Sequence, residues 1–389
     1  GAPPGRSKRQ RDVERRVLRA EKEGGDILAA AADVLPDDIG SEIISFVRFP
    51  YQVASSGNSE TAVLWNAATD QPLHTLRYHT YGIVCIRFLP GGARIVTGDA
   101  DGVAAIWAVS SGRLLRALHA HADAVLGLDI FPAGDRLVTC SEDGTAIIWE
   151  VHSGNVLHTL RYHTGWVTGV AVFSDGSRVA TWGIDGHIAI WNAPFGALLC
   201  VMGRFSSAVL GVNVFPDGSR LAAYGRDGSA AILNASSGDA LREWHGSDGR
   251  VRCVAVSSSG ARVATCDAAS ITIWDTTSGR RITVLRSLRG HVGAHFFPWD
   301  DRLVAFGRSL AEIFDTETGK VLRTLEGHSG MIQEAVVAPG GDMIASCSVS
   351  LHRHATGETI VWDVASGMRL HTLRLVLQRC SRRGPFLGP

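Results

Sequence analysis

The sequence lacks several features that mark common classes of protein. No run of about 18 apolar residues occurs in its 389 residues, so we expect no membrane-spanning helix. Its polar, basic start has no apolar segment of the kind that a signal peptide needs. Lys and Arg together number 38, as do Asp and Glu. This balance favours neither nucleic acid nor a membrane surface as a partner.

Cysteines are few, and their spacing indicates no cross-link. The seven cysteines include no C-x-x-C pair. Cys85, Cys140, Cys253 and Cys266 stand inside apolar runs of β-like character. Buried, reduced thiols of this kind are typical of proteins in reducing compartments. We therefore expect a cytoplasmic protein, with the nucleus as the alternative location.

Motifs that carry chemistry are missing as well. The sequence contains no phosphate-binding glycine loop and no acid–base pair that stands outside a repeat. His352 and His354 follow Cys347 closely, but no fourth ligand accompanies them. We expect an exposed loop there, with no metal and no other cofactor. These observations predict a protein that is not an enzyme.

One repeat dominates the chain and is most visible in its tryptophans. Equivalent positions are 42 residues apart over the first four units, and later steps range from 40 to 48 residues. The positions are Trp65, Trp107, Trp149, Trp191, Leu233, Trp274, Phe314 and Trp362. Eight units of this period predict a repeat architecture.

Each unit contains four short runs rich in apolar residues, such as IVCIRF and DGVAAIW, separated by turns such as PDGS and SSG. This pattern predicts a four-stranded antiparallel meander, and helical periodicity is absent. A single meander cannot bury both of its faces, so radial stacking of neighbouring units predicts an all-β propeller. We expect eight blades, with seven as the alternative, because unit one lacks a His motif and unit seven is short.

The chain resembles the WD-repeat proteins over about 335 of its residues. The dipeptide that ends the third strand of such repeats appears as Trp274-Asp275 and Trp362-Asp363. The Gly-His motif of the family appears as Gly290-His291 and Gly327-His328. The resemblance implies a β-propeller that binds other proteins or peptides.

Three units repeat an imidazole, a hydroxyl, a carboxylate and an indole in one register. Measured from the His, the offsets are 18, 22 and 28 residues each time. Such groups could form a catalytic triad, but three copies argue against a single active site. The resemblance implies a structural network instead, in which Asp holds His, His meets Thr, and Thr reaches the indole N–H. The tetrads are His79, Thr97, Asp101 and Trp107; His121, Thr139, Asp143 and Trp149; and His163, Thr181, Asp185 and Trp191.

The resemblance also indicates where partners bind. The top face of such a propeller consists of the loops that enter the first strands and the turns between second and third strands. On that face we predict Trp166, Arg226, Arg250 and Glu142 as partner-binding residues, since Trp and Arg are frequent interface anchors.

Three segments are expected along the chain. Residues 1–40 form a basic linker that contains a short charged helix, which Gly24-Gly25 ends. Residues 41–376 form the propeller, and residues 377–389 form a disordered, Arg-rich tail. Nucleic acid could bind only through the two basic ends, and the mildly acidic body between them makes it an unfavoured partner.

The function that we expect is a non-catalytic scaffold or adaptor, with no small-molecule substrate and no membrane partner. The alternative is a substrate-receptor subunit of a ubiquitin ligase or of another enzyme complex. Receptors of that type carry Arg two positions after the Trp. Here Thr276 and Val364 stand at those positions, which disfavours the alternative.

Overall fold

The computed structural model describes residues 46–48, 51–56, 60–66, 69, 71–245, 251–267, 270–286, 291–307, 309–349 and 357–375. These residues form strands, turns and connections, with no helix among them. The helix predicted within residues 1–40 and the tail predicted at 377–389 lie outside the described residues.

Each of the first four blades is made of four consecutive strands. Blade one contains β1 (Phe46–Arg48), β2 (Tyr51–Ser56), β3 (Thr61–Asn66) and β4 (Pro72–Arg77); blade two contains β5 (Ile83–Phe88), β6 (Arg94–Asp99), β7 (Val103–Ala108) and β8 (Leu114–His119); blade three contains β9 (Val125–Ile130), β10 (Arg136–Ser141), β11 (Thr145–Glu150) and β12 (Val156–Arg161); blade four contains β13 (Val167–Val172), β14 (Arg178–Gly183), β15 (Ile188–Asn192) and β16 (Ala197–Met202).

The other four blades repeat the arrangement. Blade five contains β17 (Val209–Val214), β18 (Arg220–Gly225), β19 (Ser229–Asn234) and β20 (Ala240–His245); blade six contains β21 (Cys253–Val256), β22 (Arg262–Cys266), β23 (Ile271–Asp275) and β24 (Arg281–Leu285); blade seven contains β25 (His291–Phe296), β26 (Arg302–Gly307), β27 (Leu310–Asp315) and β28 (Val321–Glu326); blade eight contains β29 (Met331–Val337), β30 (Met343–Val349), β31 (Gly357–Asp363) and β32 (Arg369–Leu375).

The eight-bladed, all-β prediction is confirmed, and the alternative of seven blades is wrong. Every sheet pairs its strands antiparallel in chain order, so each blade is one local meander. Blades one and eight each supply all four of their own strands. Among the described strands, none is therefore shared between the first and last blades.

Burial follows from the position of a strand within its blade. All residues of β11 are buried except Glu150, because this strand is covered on both faces by neighbouring blades. In β12, the outer strand of the same blade, only Leu160 is buried. The outer strands thus carry the free sheet edges, and the apolar residues that stabilise the ring concentrate on the inner three strands.

Eight hydrophobic clusters hold the blades together, one at each contact between neighbouring blades. The cluster between blades eight and one closes the ring. In it, Val53 and Trp65 of blade one pack with Met343, Val361 and Leu373 of blade eight. Closure therefore depends on side-chain packing between two complete sheets.

The two ends of the propeller are built from different connections. Because the strands alternate in direction, the links between blades and the turns between second and third strands share one end, which we call the top end. The remaining turns lie at the bottom end. There, Arg178 lies 4.1 Å above the ring of Phe173 and donates to the carbonyl of Gly218 in the next blade. Trp299, 56% exposed, lies in a bottom-end turn of blade seven.

Candidate functional site

The clearest polar arrangement links the top end of blades three and four to their inner strands. In blade three the hydroxyl oxygen of Thr139, on β10, accepts from the indole Nε1 of Trp149 at 2.8 Å. Nε2 of His121 lies 2.8 Å from the same oxygen, and its Nδ1 lies 2.9 Å from the carboxylate of Asp143. Together the three interactions connect the inter-blade link at His121, the turn at Asp143, and strands β10 and β11.

Blade four repeats this geometry. His163 lies 2.9 Å from the hydroxyl of Thr181 and 3.0 Å from the carboxylate of Asp185, and Trp191 donates to Thr181 at 2.9 Å. In both blades the structure brings together all four residues of the predicted tetrad. The spacing recurs because the link, strand and turn have the same lengths in each unit.

Blade two requires a correction, because Asp99 and not Asp101 holds the imidazole. Nδ1 of His79 lies 2.5 Å from Oδ2 of Asp99, and Nε2 of His79 lies 2.6 Å from the hydroxyl of Thr97. The other carboxylate oxygen of Asp99 accepts the backbone amides of Asp101 and Val103. Asp99 is buried at the end of β6 and already satisfies both the ring and the turn, which leaves Asp101 exposed.

Thr97 still accepts the indole N–H of Trp107 at 2.9 Å, so the rest of the predicted tetrad in blade two is assembled.

Similar hydroxyl–indole pairs occur where sequence reasoning named no hydroxyl. Ser55 accepts from Trp65 in blade one, and Thr265 accepts from Trp274 in blade six. A hydroxyl nine or ten residues before the third-strand Trp is the sequence signal that finds them.

Blade eight carries a variant without a carboxylate directly bonded to its His. Nδ1 of His328 lies 2.8 Å from the hydroxyl of Ser348, and Nε2 lies 2.6 Å from that of Ser346. Ser346 also accepts the indole N–H of Trp362 at 2.8 Å. Burial lowers the pKa of His328 to about 4, so this imidazole is neutral near pH 7.

Blade five replaces the whole arrangement with apolar side chains. Phe205, Ala223 and Leu233 occupy the His, Thr and Trp positions and belong to one buried cluster. Asp227 remains, and its carboxylate accepts bonds from Ser206 and Ser229. The turn is thus held by its Asp even where the imidazole is gone.

The electrostatics of the blade-three network favour a neutral imidazole and an ionised carboxylate. Burial lowers the pKa of His121, against the opposing influence of Asp143. Burial alone would raise the pKa of Asp143, but hydrogen bonds from Thr145, Ala122 and His121 outweigh it and hold that pKa below its ordinary value.

The hydroxyls of these networks cannot meet a substrate. Thr97, Thr139 and Thr181 are 0% exposed, and each accepts an indole N–H. A nucleophilic hydroxyl must reach the reacting atom of its substrate, so the buried position excludes that role for these three residues. The geometry ties each inter-blade link to its inner strands, a structural arrangement.

Three of the four predicted partner-binding residues can be placed at the top end. Trp166 precedes β13 and is 48% exposed. Its carbonyl accepts the amide of Ile184, which is 44% exposed beside it. Arg226, exposed, precedes the turn Asp of blade five, and its amide donates to Ala208 at 2.8 Å.

In blade three, Glu142 stands at the position that Ile184 has in blade four. It is partly buried, and its amide donates to the carbonyl of Ala124. Burial raises the pKa of Glu142, and the nearby charge of Asp123 adds to this effect. Arg250, the fourth predicted residue, lies outside the described residues. Sequence reasoning did not select Tyr81, which is 49% exposed at the top end of blade two.

Within the described ranges, no group of three or more His, Cys, Asp or Glu residues could hold a metal ion. The pair His352 and His354 falls outside those ranges. No helix in the described part of the chain is long and apolar enough to span a membrane. Thr276 and Val364 are buried, so they offer no partner contact.

Comparison with protein families and with curated proteins gives two findings. The family model described as "WD domain, G-beta repeat" matches residues 70–108, 112–150, 154–192, 238–275 and 319–363, which make up just over half of the chain. Each match begins at or just before an outer strand and ends with the third strand of the next blade. No significant match to a curated protein was found.

Proposed function

Since this chain belongs to the WD domain, G-beta repeat family, we propose that it is a scaffold or adaptor that binds partner proteins or peptides on its top end. Propellers of this family are generally non-catalytic and generally bind other proteins. We propose the same for this chain: it assembles partners and performs no chemistry of its own.

One observation carries the proposal, namely the exposed apolar pair Trp166 and Ile184 at the top end of blade four. Their backbones are bonded to each other, so both side chains stand on the rigid rim where β13 and β14 begin and end. A half-exposed Trp on a rigid element contributes contact area with little loss of side-chain entropy on binding.

The neighbouring blades flank this pair with opposite charges. Glu142 lies at the matching position of blade three, and Arg226 lies at that of blade five. An apolar centre with a polar rim is the usual arrangement of a protein–protein interface. Arg250 remains a predicted member of the same surface.

The experiment is affinity capture from cell extract with quantitative mass spectrometry. The variant Trp166→Ala is compared with Trp299→Ala, which removes an equally accessible Trp from the bottom end. Both variants are first checked for unchanged melting temperature. We expect a set of proteins to be depleted about tenfold or more with Trp166→Ala, equivalent to about 1.4 kcal/mol, and to be retained with Trp299→Ala.

Equal partner lists for Trp166→Ala and the unmodified chain would contradict the proposal, and so would losses shared equally with Trp299→Ala. A direct measurement with the purified chain follows for any partner that is lost. Arg226→Ala should weaken the same partner and not a different set.

We propose the cytoplasm or the nucleus as the place of action, on the basis of reduced thiols. Among the described residues, six cysteines form no disulfide bond: Cys85, Cys140, Cys200, Cys253, Cys266 and Cys347. Microscopy of a fluorescent fusion tests this location, and accumulation in a secretory compartment would contradict it.

A further inference from the structure

At one position where the first and second strands pair, one partner is glycine in most of the blades in which the structure describes that position. The pairs Gly169–Trp182, Gly211–Tyr224 and Gly293–Phe306 lie directly across from each other in blades four, five and seven. A Cβ atom on these glycines would lie 2.2, 2.5 and 2.3 Å from the facing rings. In these three blades the space at this position accepts one large side chain.

Blades two and three follow the same rule with cysteine as the larger partner. The register pairs Cys85 with Gly98 and Gly127 with Cys140. A Cβ on Gly98 would lie 2.7 Å from the sulfur of Cys85. In five of the seven blades where the structure describes this position, a glycine therefore faces the side chain. The other two are blade eight, where Glu334 faces Cys347, and blade six.

Blade six places a cysteine on both sides of this crowded position. Cys253 on β21 pairs with Cys266 on β22, and the amide of Arg252 also donates to the carbonyl of Cys266 at 2.8 Å. Cys266 is fully buried in the cluster between blades six and seven, and Cys253 packs at its partly exposed margin.

We propose that Cys253 and Cys266 form a site of reversible disulfide modification across β21 and β22. Directly opposed residues of antiparallel strands have Cα atoms about 4.5–5.5 Å apart, which lies within the range that disulfides span. A disulfide holds its sulfurs about 2.05 Å apart, closer than any thiol–thiol contact. The bond therefore draws two side chains together at a position where blades two, three, four, five and seven have glycine on one side.

The oxidant that we infer is a low-molecular-weight disulfide such as oxidised glutathione. Cys253 loses its proton and attacks one glutathione sulfur, which forms a mixed disulfide and expels a glutathione thiolate that takes up the proton. Cys266 then loses its proton and attacks the sulfur of Cys253, expelling the second glutathione. In sum, two protein thiols lose two electrons and two protons, and one glutathione disulfide becomes two glutathione thiols.

The two cysteines have different roles in this two-step reaction. Cys253 is partly exposed and attacks first. The hydrogen bond to Cys253, together with burial, raises the pKa of Cys266 well above its ordinary value, so Cys266 is a poor first nucleophile. Its position directly across from Cys253 places Cys266 to act second, as the resolving thiol.

The experiment exposes the reduced, purified full chain to glutathione buffers of increasing oxidised fraction, without denaturant. The chain is then unfolded in excess N-ethylmaleimide, so that buried free thiols are blocked as well, and it is digested with trypsin. Cleavage after Arg252, Arg262 and Arg280 places the two cysteines on separate peptides, 253–262 and 263–280. We expect these peptides to become linked as the predominant product and to separate again after reduction.

Matched variants test the order of the two steps. Cys266→Ser should stop at the mixed disulfide of Cys253, and Cys253→Ser should leave Cys266 unmodified. Cys85 and Cys140, which face glycines, serve as internal controls and should stay labelled by the maleimide.

Three outcomes would overturn the proposal. The first is an unlinked Cys253 that carries glutathione in the unmodified chain while Cys266 stays free. The second is absence of any oxidation at Cys253 in the folded chain. The third is a link that appears only in denaturant, since it would then not depend on the folded geometry.

Discussion

Removing the hydroxyl of Thr139 while keeping its shape is the most direct test of the networks. In the variant Thr139→Val the indole N–H of Trp149 loses its acceptor, and Nε2 of His121 loses its partner. Trp149 is 2% exposed, so water does not readily replace the lost bond. Leaving a buried polar group without a partner costs about 1–3 kcal/mol.

Two such groups are affected, so we expect the free energy of unfolding to fall by about 3 kcal/mol. Val fills the volume of Thr, and no cavity contributes. The matched control Thr139→Ser keeps the hydroxyl and deletes one methyl group, which should cost about 1 kcal/mol. Equilibrium urea unfolding followed by circular dichroism measures both variants.

A double-mutant cycle with Trp149→Phe separates the network from general packing. If Thr139 and Trp149 act through their hydrogen bond, the double variant should be more stable than the sum of the single effects predicts, by about 1–2 kcal/mol. Blade five, where all three partners are apolar together, is consistent with this coupling. Additivity within about 0.5 kcal/mol, or equal effects of Val and Ser at residue 139, would refute the reasoning.

Three further predictions follow from particular contacts. Asp99→Asn should lower the unfolding free energy by about 1–3 kcal/mol and Asp101→Asn by less than about 0.5, because only Asp99 bonds the imidazole; urea midpoints in the reverse order would contradict this. Burial lowers the pKa of His328 from 6.5 to about 4, so between these pH values the imidazole binds a proton in the unfolded chain but not in the folded one. The free energy of unfolding therefore falls as pH falls through this range, by up to about 3 kcal/mol. His328→Gln should flatten that part of the stability–pH curve, and an unchanged slope would count against the assignment. Gly169→Ala should destabilise the fold by about 1–3 kcal/mol, and by more than Gly127→Ala does. The added Cβ would lie 2.2 Å from the indole ring of Trp182 at residue 169 but 3.2 Å from the sulfur of Cys140 at residue 127, and equal melting temperatures would contradict this steric argument.

Several features of the site could be predicted from sequence because they depend on local spacing. The offsets of 18 and 28 residues correctly paired His121 with Thr139 and Trp149, since a tight meander keeps those distances along the chain constant. The same offsets correctly paired His163 with Thr181 and Trp191 in blade four. The prediction failed in blade two because Asp99 and Asp101 flank one turn, and only the three-dimensional path shows which carboxylate reaches His79.

Exposure was harder to predict than hydrogen bonding. Trp166 is half exposed, whereas Glu142 is partly buried and Ile184, which we did not select, stands open beside Trp166. Glu142 and Ile184 are equivalent in sequence, yet one is partly buried and the other is exposed. The partner-binding role of these residues remains a prediction.

The sequence by itself determined the meander, the eight units and the family, because alternation, turns and a repeat period are properties of neighbouring residues. Tertiary structure alone decided how the ring closes and which thiols meet. Val53 and Trp65 are nearly 300 positions from the blade-eight residues that cover them, and no pattern along the chain encodes that contact. Likewise, Cys253 and Cys266 are two of seven cysteines in the sequence, and only the register of β21 on β22 places them opposite each other, at a position where five other blades have glycine on one side.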